Sequence, residues 1–148
     1  HDHEAAIEDR SVHTPVPLGN ERVLLIDDED QIVQFSKIGL ERLGYLVTVR
    51  TNPFEALEMV RANPGSFDVV VTDQMMPKMT GTLLIQELHR IRPNLPVILC
   101  TGFADALGIA RAAEMGVREY VLKPVIASDL AFAIRRVLAG EADNRDPS

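Results

Sequence analysis

Residues 69–81 read Val69-Val70-Val71-Thr72-Asp73-Gln74-Met75-Met76-Pro77-Lys78-Met79-Thr80-Gly81. An apolar run here ends on one carboxylate, and a turn rich in Met, Pro and Gly separates it from a new helical pattern. Continuous apolar runs are typical of strands that are buried on both faces of a sheet. We therefore predict a buried strand that ends on Asp73, with the rest of the chain as the scaffold that brings other reactive groups to it.

The composition indicates one acidic domain with tails. The chain has 148 residues, is 46% hydrophobic and carries a formal net charge of −7, which is enough apolar material for one sizeable core. No basic stripe is present, and the densest charge run, Asp27-Asp28-Glu29-Asp30, would repel phosphates unless a cation lay there. We therefore expect no nucleic-acid partner.

The cysteine content and the hydropathy favour a cytoplasmic location. Cys100 is the single cysteine, so no disulfide can form within the chain, and its apolar neighbours predict a small buried hydrophobe. No apolar run reaches the roughly 20 residues that span a bilayer, and no signal peptide is visible. We expect no membrane contact by this segment. Because the first residue is not Met, we also expect the segment to come from a longer gene product.

Both ends of the chain have the composition of tails. Residues 1–20 are polar, contain Pro and Gly near their end and lack apolar periodicity, so we predict a flexible linker. The irregularly spaced histidines of this segment are expected to be solvated rather than metal-binding: His1, His3 and His13. We predict a folded domain over residues 21–140 and a disordered tail over residues 141–148.

Five strand patterns alternate with five helix patterns. The strands are predicted at residues 23–26, 46–49, 67–72, 97–100 and 120–122. The helices are predicted at residues 30–43, 53–62, 82–91, 105–115 and 128–140. Asn52 and Ser128 are predicted as N-caps, and Gly140 as the end of the last helix. The first helix is predicted from apolar positions at helical spacing: Ile32, Phe35, Gly39 and Leu43. This alternation predicts an α/β fold of parallel strands with helices on both faces and the second strand at an edge.

Polar residues follow the predicted strands at their carboxyl ends. They are Asp27 and Asp28 after the first strand, Asp73 after the third, Thr101 after the fourth and Lys123 after the fifth. Parallel strands share one carboxyl edge, which is where this fold class binds ligands. We therefore expect these side chains to meet, whereas Asp105 and Ser128 are expected to be only helix caps. No glycine-rich phosphate loop follows the first strand, which argues against dinucleotide or P-loop binding.

This set of groups suits phosphoryl transfer. Three carboxylates close together repel one another unless a cation intervenes, and Mg²⁺ prefers such oxygen ligands. A lysine and a hydroxyl can neutralise the charge of a phosphoryl group while one carboxylate acts as the nucleophile.

Four motifs at these spacings resemble the receiver domain of two-component response regulators over about residues 21–140. They are Leu25-Ile26-Asp27-Asp28-Glu29, residues 72–81, Cys100-Thr101-Gly102 and Tyr120-Val121-Leu122-Lys123-Pro124. The resemblance implies a flavodoxin-like, doubly wound (βα)5 fold with five helices and strand order 2-1-3-4-5. It implies a domain that catalyses its own phosphorylation, with Mg²⁺ as cofactor and a histidine kinase or histidine phosphotransfer domain as partner.

The resemblance also assigns roles to single residues. Asp73 would accept the phosphoryl group from a phosphohistidine, and the ion would be held by Asp27, Asp28, Asp73 and the backbone carbonyl of Met75. Thr101, Lys123 and the amide of Gly102 would bind phosphoryl oxygens. Thr101 and Tyr120 would act as the switch that reshapes the surface of helix four, strand five and helix five, where a homodimer could form. The Lys123-Pro124 bond would be cis, as is common in the family.

Two positions depart from the commonest pattern of the family. Met75 and Phe103 lie two residues beyond Asp73 and Thr101, where side chains help to set the access of water to the phosphoryl group. Both are bulky and apolar here, so we predict slow self-dephosphorylation. Three features are similar to receivers at the C-terminal end of hybrid sensor histidine kinases: the linker-like N-terminus, the turn Cys100-Thr101-Gly102-Phe103 and the run from Arg118 to Pro124.

Two other classes use similar acids. A Mg²⁺-dependent phosphohydrolase of the haloacid-dehalogenase type needs Asp-x-Asp after the first strand, which Asp28-Glu29-Asp30 supplies, but it would leave Asp73 without a task. A calcium loop would begin with Asp28 and Asp30, but its glycine and closing glutamate are missing.

Overall fold

The computed structural model describes residues 15–102 and 106–145, and it contains a parallel sheet of five strands in the order β2-β1-β3-β4-β5. The strands are β1 (Arg22–Ile26), β2 (Leu46–Arg50), β3 (Val69–Asp73), β4 (Val97–Thr101) and β5 (Glu119–Leu122). The helices are α1 (Asp30–Arg42), α2 (Pro53–Ala62), α3 (Gly81–Ile91), α4 (Ala106–Glu114) and α5 (Ala127–Arg145). The predicted flavodoxin-like fold and its strand order are therefore confirmed, with β2 at an edge.

Alternating residues of β1 and β3 face two separate cores. Leu24 and Val70 pack into the core under α2 and α3, whereas Val23 and Val71 pack into the core under α1 and α5. Every residue of β3 is buried, because helices cover both faces of this central strand. The sequence of β3 begins with an unbroken apolar run because both faces of the strand are buried.

Several predicted helix boundaries are confirmed. The Asn52 side chain accepts a hydrogen bond from the amide of Phe54 at 2.9 Å, and Pro53 occupies the first position of α2, where its missing N–H costs nothing. Gly44 and Gly116 follow α1 and α4 with φ values of +106° and +97°, a conformation that favours glycine.

The apolar positions that predicted α1 are not the residues that it buries. The buried residues of this helix are Val33, Ser36 and Leu40, whereas Ile32 and Phe35 are 43% and 71% exposed. The helix carries apolar residues on two faces, so its periodicity alone does not select the buried one. Packing against the sheet and α5 selects the face one position further along.

Both predicted ends of α5 are also wrong. The helix begins at Ala127, which places Ser128 inside its first turn, and it continues through Gly140 to Arg145. A single glycine lowers the stability of a helix by only about 1 kcal/mol relative to alanine. This is too little to end the helix unless the chain also turns there. The predicted helix start at Asp105 lies outside the described residues.

No helix in the described ranges is both long enough and apolar enough to cross a membrane.

Candidate functional site

Three carboxylates meet at the carboxyl edge of the sheet. β1 pairs with β3 so that Ile26 lies opposite Thr72, and the acids that follow these two residues are therefore neighbours. One ligand oxygen from each of Asp27, Asp28 and Asp73 lies within 4.8 Å of the others. The parallel register thus brings together residues that are about 45 positions apart in the sequence.

Asp27 and Asp73 are the buried members of this acid cluster, at 8% and 3% exposure, whereas Asp28 is exposed. Burial raises the pKa of Asp27 to about 6, and the charge of Asp73 adds to the effect. The Glu29 amide donates to Asp27 Oδ1 at 3.0 Å and partly offsets that rise. Two buried carboxylates side by side retain a proton at moderate pH unless a cation compensates them.

Lys123, which directly follows β5, provides one such cation. Its Nζ lies 2.6 Å from Asp73 Oδ1, and its amide donates to the Thr101 carbonyl at 2.8 Å. Burial lowers the pKa of Lys123, but the hydrogen bond to Asp73 and the charges of Asp73 and Asp27 raise it more, so the net shift is upward. The Lys123-Pro124 bond is cis.

The structure places the other predicted site residues at the end of β4, in the loop after β3 and within β5. Thr101 ends β4 in register with Leu122 and is half-buried, and Gly102 is exposed next to it. The Met75 side chain is 73% exposed, and Tyr120 is 37% exposed on β5. The structure thus brings Thr101 and Gly102 to the edge that carries Asp73 and Lys123. Phe103 lies outside the described residues.

Sequence reasoning missed one residue of the site. Gln74 follows Asp73 directly, and its side chain accepts a hydrogen bond from the amide of Thr82 at 2.9 Å. Both ends of the β3–α3 loop are thereby joined beside the acid cluster. No periodicity or motif distinguishes this glutamine, because its partner is set by the path of the loop.

A cleft of about 300 Å³ opens beside the acids, between α1 and the segment that follows β5. Asp27, Asp73 and Lys123 lie along it, together with the side chains of Ile32 and Phe35. The buried Cys100 also lines the cleft, and burial raises the pKa of its thiol to about 12. Cys100 was predicted to be a small buried hydrophobe, and the structure confirms that it is buried.

The donor set fits a hard divalent cation. Carboxylate oxygens are the ligands that Mg²⁺ prefers, and the exposed Asp28 leaves the site open to the waters that this ion retains. Lys123 supplies a positive charge next to Asp73. The three carboxylates form an anionic pocket, and a bound cation would allow this pocket to hold a phosphoryl group.

Comparison with known proteins agrees with this geometry. Residues 23–135 match the response regulator receiver domain family. A response regulator receiver domain protein from Clostridium thermocellum has a solved structure that is 37% identical, covers 82% of this chain and 97% of its own, and superposes with a TM-score of 0.76.

Two curated relatives extend the comparison to larger proteins. The two-component response regulator ARR10 of Arabidopsis thaliana is 35% identical over 74% of this chain, which spans 20% of that protein. The sensor kinase CckA of Brucella abortus is 30% identical over 93% of this chain, which spans 15% of that protein. The chain therefore belongs to the response regulator receiver domain family of two-component systems, and the phosphohydrolase interpretation is not supported. Receiver domains bind Mg²⁺ at an acidic pocket and interact with histidine kinases or phosphotransfer proteins.

Proposed function

We propose that Asp73 accepts a phosphoryl group from a phosphohistidine on a histidine kinase or a histidine phosphotransfer domain. The observation that carries this proposal is the position of Asp73, a buried carboxylate between two other acids and a lysine 2.6 Å away. An oxygen of Asp73 attacks the phosphorus, and the P–N bond to the imidazole breaks with its electron pair leaving on nitrogen. The product is an acyl phosphate on Asp73.

The neighbouring residues stabilise this transfer. Asp27, Asp28 and the backbone carbonyl of Met75 would hold Mg²⁺ together with Asp73, and the ion would supply electrostatic stabilisation of the phosphoryl oxygens. Lys123 pairs with one phosphoryl oxygen once its contact with Asp73 opens. The Thr101 hydroxyl and the Gly102 amide donate to the others. The domain in this sense catalyses its own phosphorylation.

A small phosphodonor tests the proposal directly. With acetyl phosphate and Mg²⁺, the protein should gain one base-labile phosphate per chain, measured by intact mass. Asp73→Asn should abolish this gain, because an amide is not a nucleophile for phosphorus. The matched control is Asp30→Asn, because Asp30 belongs to the Asp-x-Asp motif that a phosphohydrolase of the haloacid-dehalogenase type would need. Phosphorylation of the Asp73→Asn protein, or its loss in Asp30→Asn, would overturn the proposal.

The output surface proposed here is formed by α4, β5 and α5. Thr101 moves toward the new phosphoryl group, and Tyr120 follows it inward, which reshapes this surface and is expected to control homodimer formation. In support, Tyr120 is partly exposed on β5, and the ion pair between Glu119 and Arg136, at 3.0 Å, ties β5 to α5.

We further propose that the domain is the C-terminal receiver of a hybrid sensor histidine kinase and works in the cytoplasm. The similarity to the Brucella sensor kinase supports the first part, since it extends over 93% of this chain. The unpaired, buried Cys100 is compatible with the second. Reading the gene on both sides of this segment tests the proposal, and a DNA-binding domain encoded after residue 148 would refute it.

A further inference from the structure

Gln74 uses all four of its polar groups within the protein. Its amide donates to the Cys100 carbonyl at 2.9 Å, and its carbonyl accepts from the Gly81 amide at 3.0 Å. Its side-chain oxygen accepts from the Thr82 amide at 2.9 Å, and its side-chain nitrogen contacts Thr82 Oγ1 at 3.4 Å. One residue thereby ties the end of β3 to β4 on one side and to the start of α3 on the other.

These bonds satisfy groups that α3 cannot satisfy itself. The first amides of a helix have no partner within the helix and usually receive one from the N-cap residue. Here Thr80 caps only the Leu83 amide, at 3.3 Å. Gln74 accepts from the Gly81 and Thr82 amides, so it acts as a second cap that reaches across the loop from the strand.

The loop closed in this way packs directly on the backbone of Asp73. A Cβ atom at Gly81 would lie 2.4 Å from the Asp73 carbonyl oxygen and 3.0 Å from Cα of Gln74. The start of α3 and the end of β3 are therefore in contact with no room for a side chain between them. Any opening of the Gln74 contacts would displace the backbone beside Asp73 and Met75.

We propose that Gln74 is a positioning residue of the phosphorylation site. By holding the β3–α3 loop closed, it keeps the backbone of Met75 and the carboxylate of Asp73 in the arrangement that a divalent cation requires. The inference builds on the proposed function of the acid cluster. It assigns to this glutamine a role that Thr80, the ordinary cap of the same helix, does not share.

Gln74→Met tests the proposal, because methionine has a similar length and retains both backbone bonds but can accept nothing from Thr82. Without metal, hydrogen exchange of the Thr82 amide, followed by NMR, should accelerate on the order of tenfold relative to that of Leu84. Mn²⁺ affinity, measured by electron paramagnetic resonance, should fall several-fold. Gln74→Glu, which retains an acceptor oxygen, should restore the protection of Thr82.

Thr80→Ala is the control for general loosening of α3. It removes a cap and should lower the melting temperature, but it should leave Mn²⁺ affinity within twofold of the wild-type value. Wild-type exchange and affinity in Gln74→Met would overturn the inference, as would an equal loss of Mn²⁺ affinity in Thr80→Ala. Neither measurement requires phosphorylation, so a failure of Asp73 to accept phosphate would be seen separately.

Discussion

At the scale of single residues, the acid cluster holds two of its three carboxylates away from water. Asp73 is 3% exposed, and a buried carboxylate is tolerated only with a close partner. Lys123 provides that partner at 2.6 Å. Asp27 has no cation at comparable distance among the described residues, and its burial raises its pKa.

Asp27→Asn should therefore stabilise the metal-free protein at neutral pH. Because the pKa of Asp27 is about 6 when folded and near 3.8 when unfolded, the native state binds more protons between these values, and stability from this group falls as pH rises from 4 to 6. The variant should gain about 1–2 kcal/mol at pH 7.5, discounted for solvent at the mouth of the cleft, and the gain should vanish near pH 4. Urea unfolding in EDTA measures it.

Asp68→Asn is the matched control, because its effect on stability at neutral pH is expected to have the opposite sign. The hydrogen bonds from Arg22 lower the pKa of Asp68, so this carboxylate contributes stability at neutral pH and loses it as pH falls. The variant should be less stable than the wild type at pH 7.5, with the difference shrinking on acidification. The same trend in both variants would contradict the assignment of burial as the cause at Asp27.

Met75→Asn should shorten the lifetime of the phosphorylated form. The Met75 side chain is 73% exposed beside the site and offers no hydrogen bond to an attacking water, whereas an amide can orient one. A hydrogen bond of about 1 kcal/mol corresponds to a roughly fivefold faster hydrolysis. Loss of the base-labile phosphate after removal of acetyl phosphate gives the rate. A combined change with Phe103→Glu should shorten the lifetime further, and unchanged lifetimes would refute the predicted shielding.

At the scale of elements, α1 and α5 approach each other closely at one point. A Cβ atom on Gly39 of α1 would lie 2.6 Å from Cβ of Ala127 at the start of α5. The glycine therefore allows the two helices to pack over one face of the sheet. The same packing turns Val33 and Leu40 inward and leaves Phe35 exposed.

Gly39→Ala should destabilise the domain although alanine is the better helix former. The overlap with Ala127 costs about 1–3 kcal/mol, more than the roughly 1 kcal/mol that helix propensity returns. Ala127→Gly in the same chain should recover the loss, as measured by chemical denaturation. Gly140→Ala is the control, since nothing lies within 4 Å of its Cβ position, and it should be neutral or stabilising. A Gly39→Ala protein as stable as the Gly140→Ala protein would exclude the steric account.

At the scale of the whole molecule, the apolar side of α1 and the acid cluster share one cleft. Phe35 and Ile32 are exposed, yet they line the same space as Asp73 and Lys123. If Asp73 is the phosphoacceptor, as proposed, we expect the protein that presents the phosphohistidine to cover this cleft and to use the exposed ring of Phe35 as apolar contact area. A small phosphodonor needs no such contact.

Phe35→Ser should therefore separate the two kinds of donor. Transfer from a phosphorylated histidine phosphotransfer protein should slow by about 5–10-fold, the range expected for losing an aromatic anchor at an interface. Phosphorylation by acetyl phosphate should not change. Ile38→Ser is the matched control, because Ile38 is 50% exposed on the same helix but does not line the cleft. Equal slowing with both donors would argue against docking at this face.

The sequence by itself determined the fold class, the strand order implied by the family motifs and the residues at the carboxyl edge. It could do so because burial on both faces forces an unbroken apolar strand, and because parallel strands bring their ends to one edge. Asp27, Asp28, Asp73 and Lys123 were predicted to meet for this reason, and the structure places them together.

Only the tertiary structure decided which face of α1 is buried, where α5 ends and what Gln74 contacts. The buried face of α1 depends on which of its two apolar faces packs against the sheet. The end of α5 depends on whether a turn follows Gly140, and the helix instead continues to Arg145. The contacts of Gln74 depend on a loop path that brings the Thr82 amide to its side chain. These features depend on how segments distant in the sequence pack against one another, and the local periodicity of the sequence does not predict such contacts.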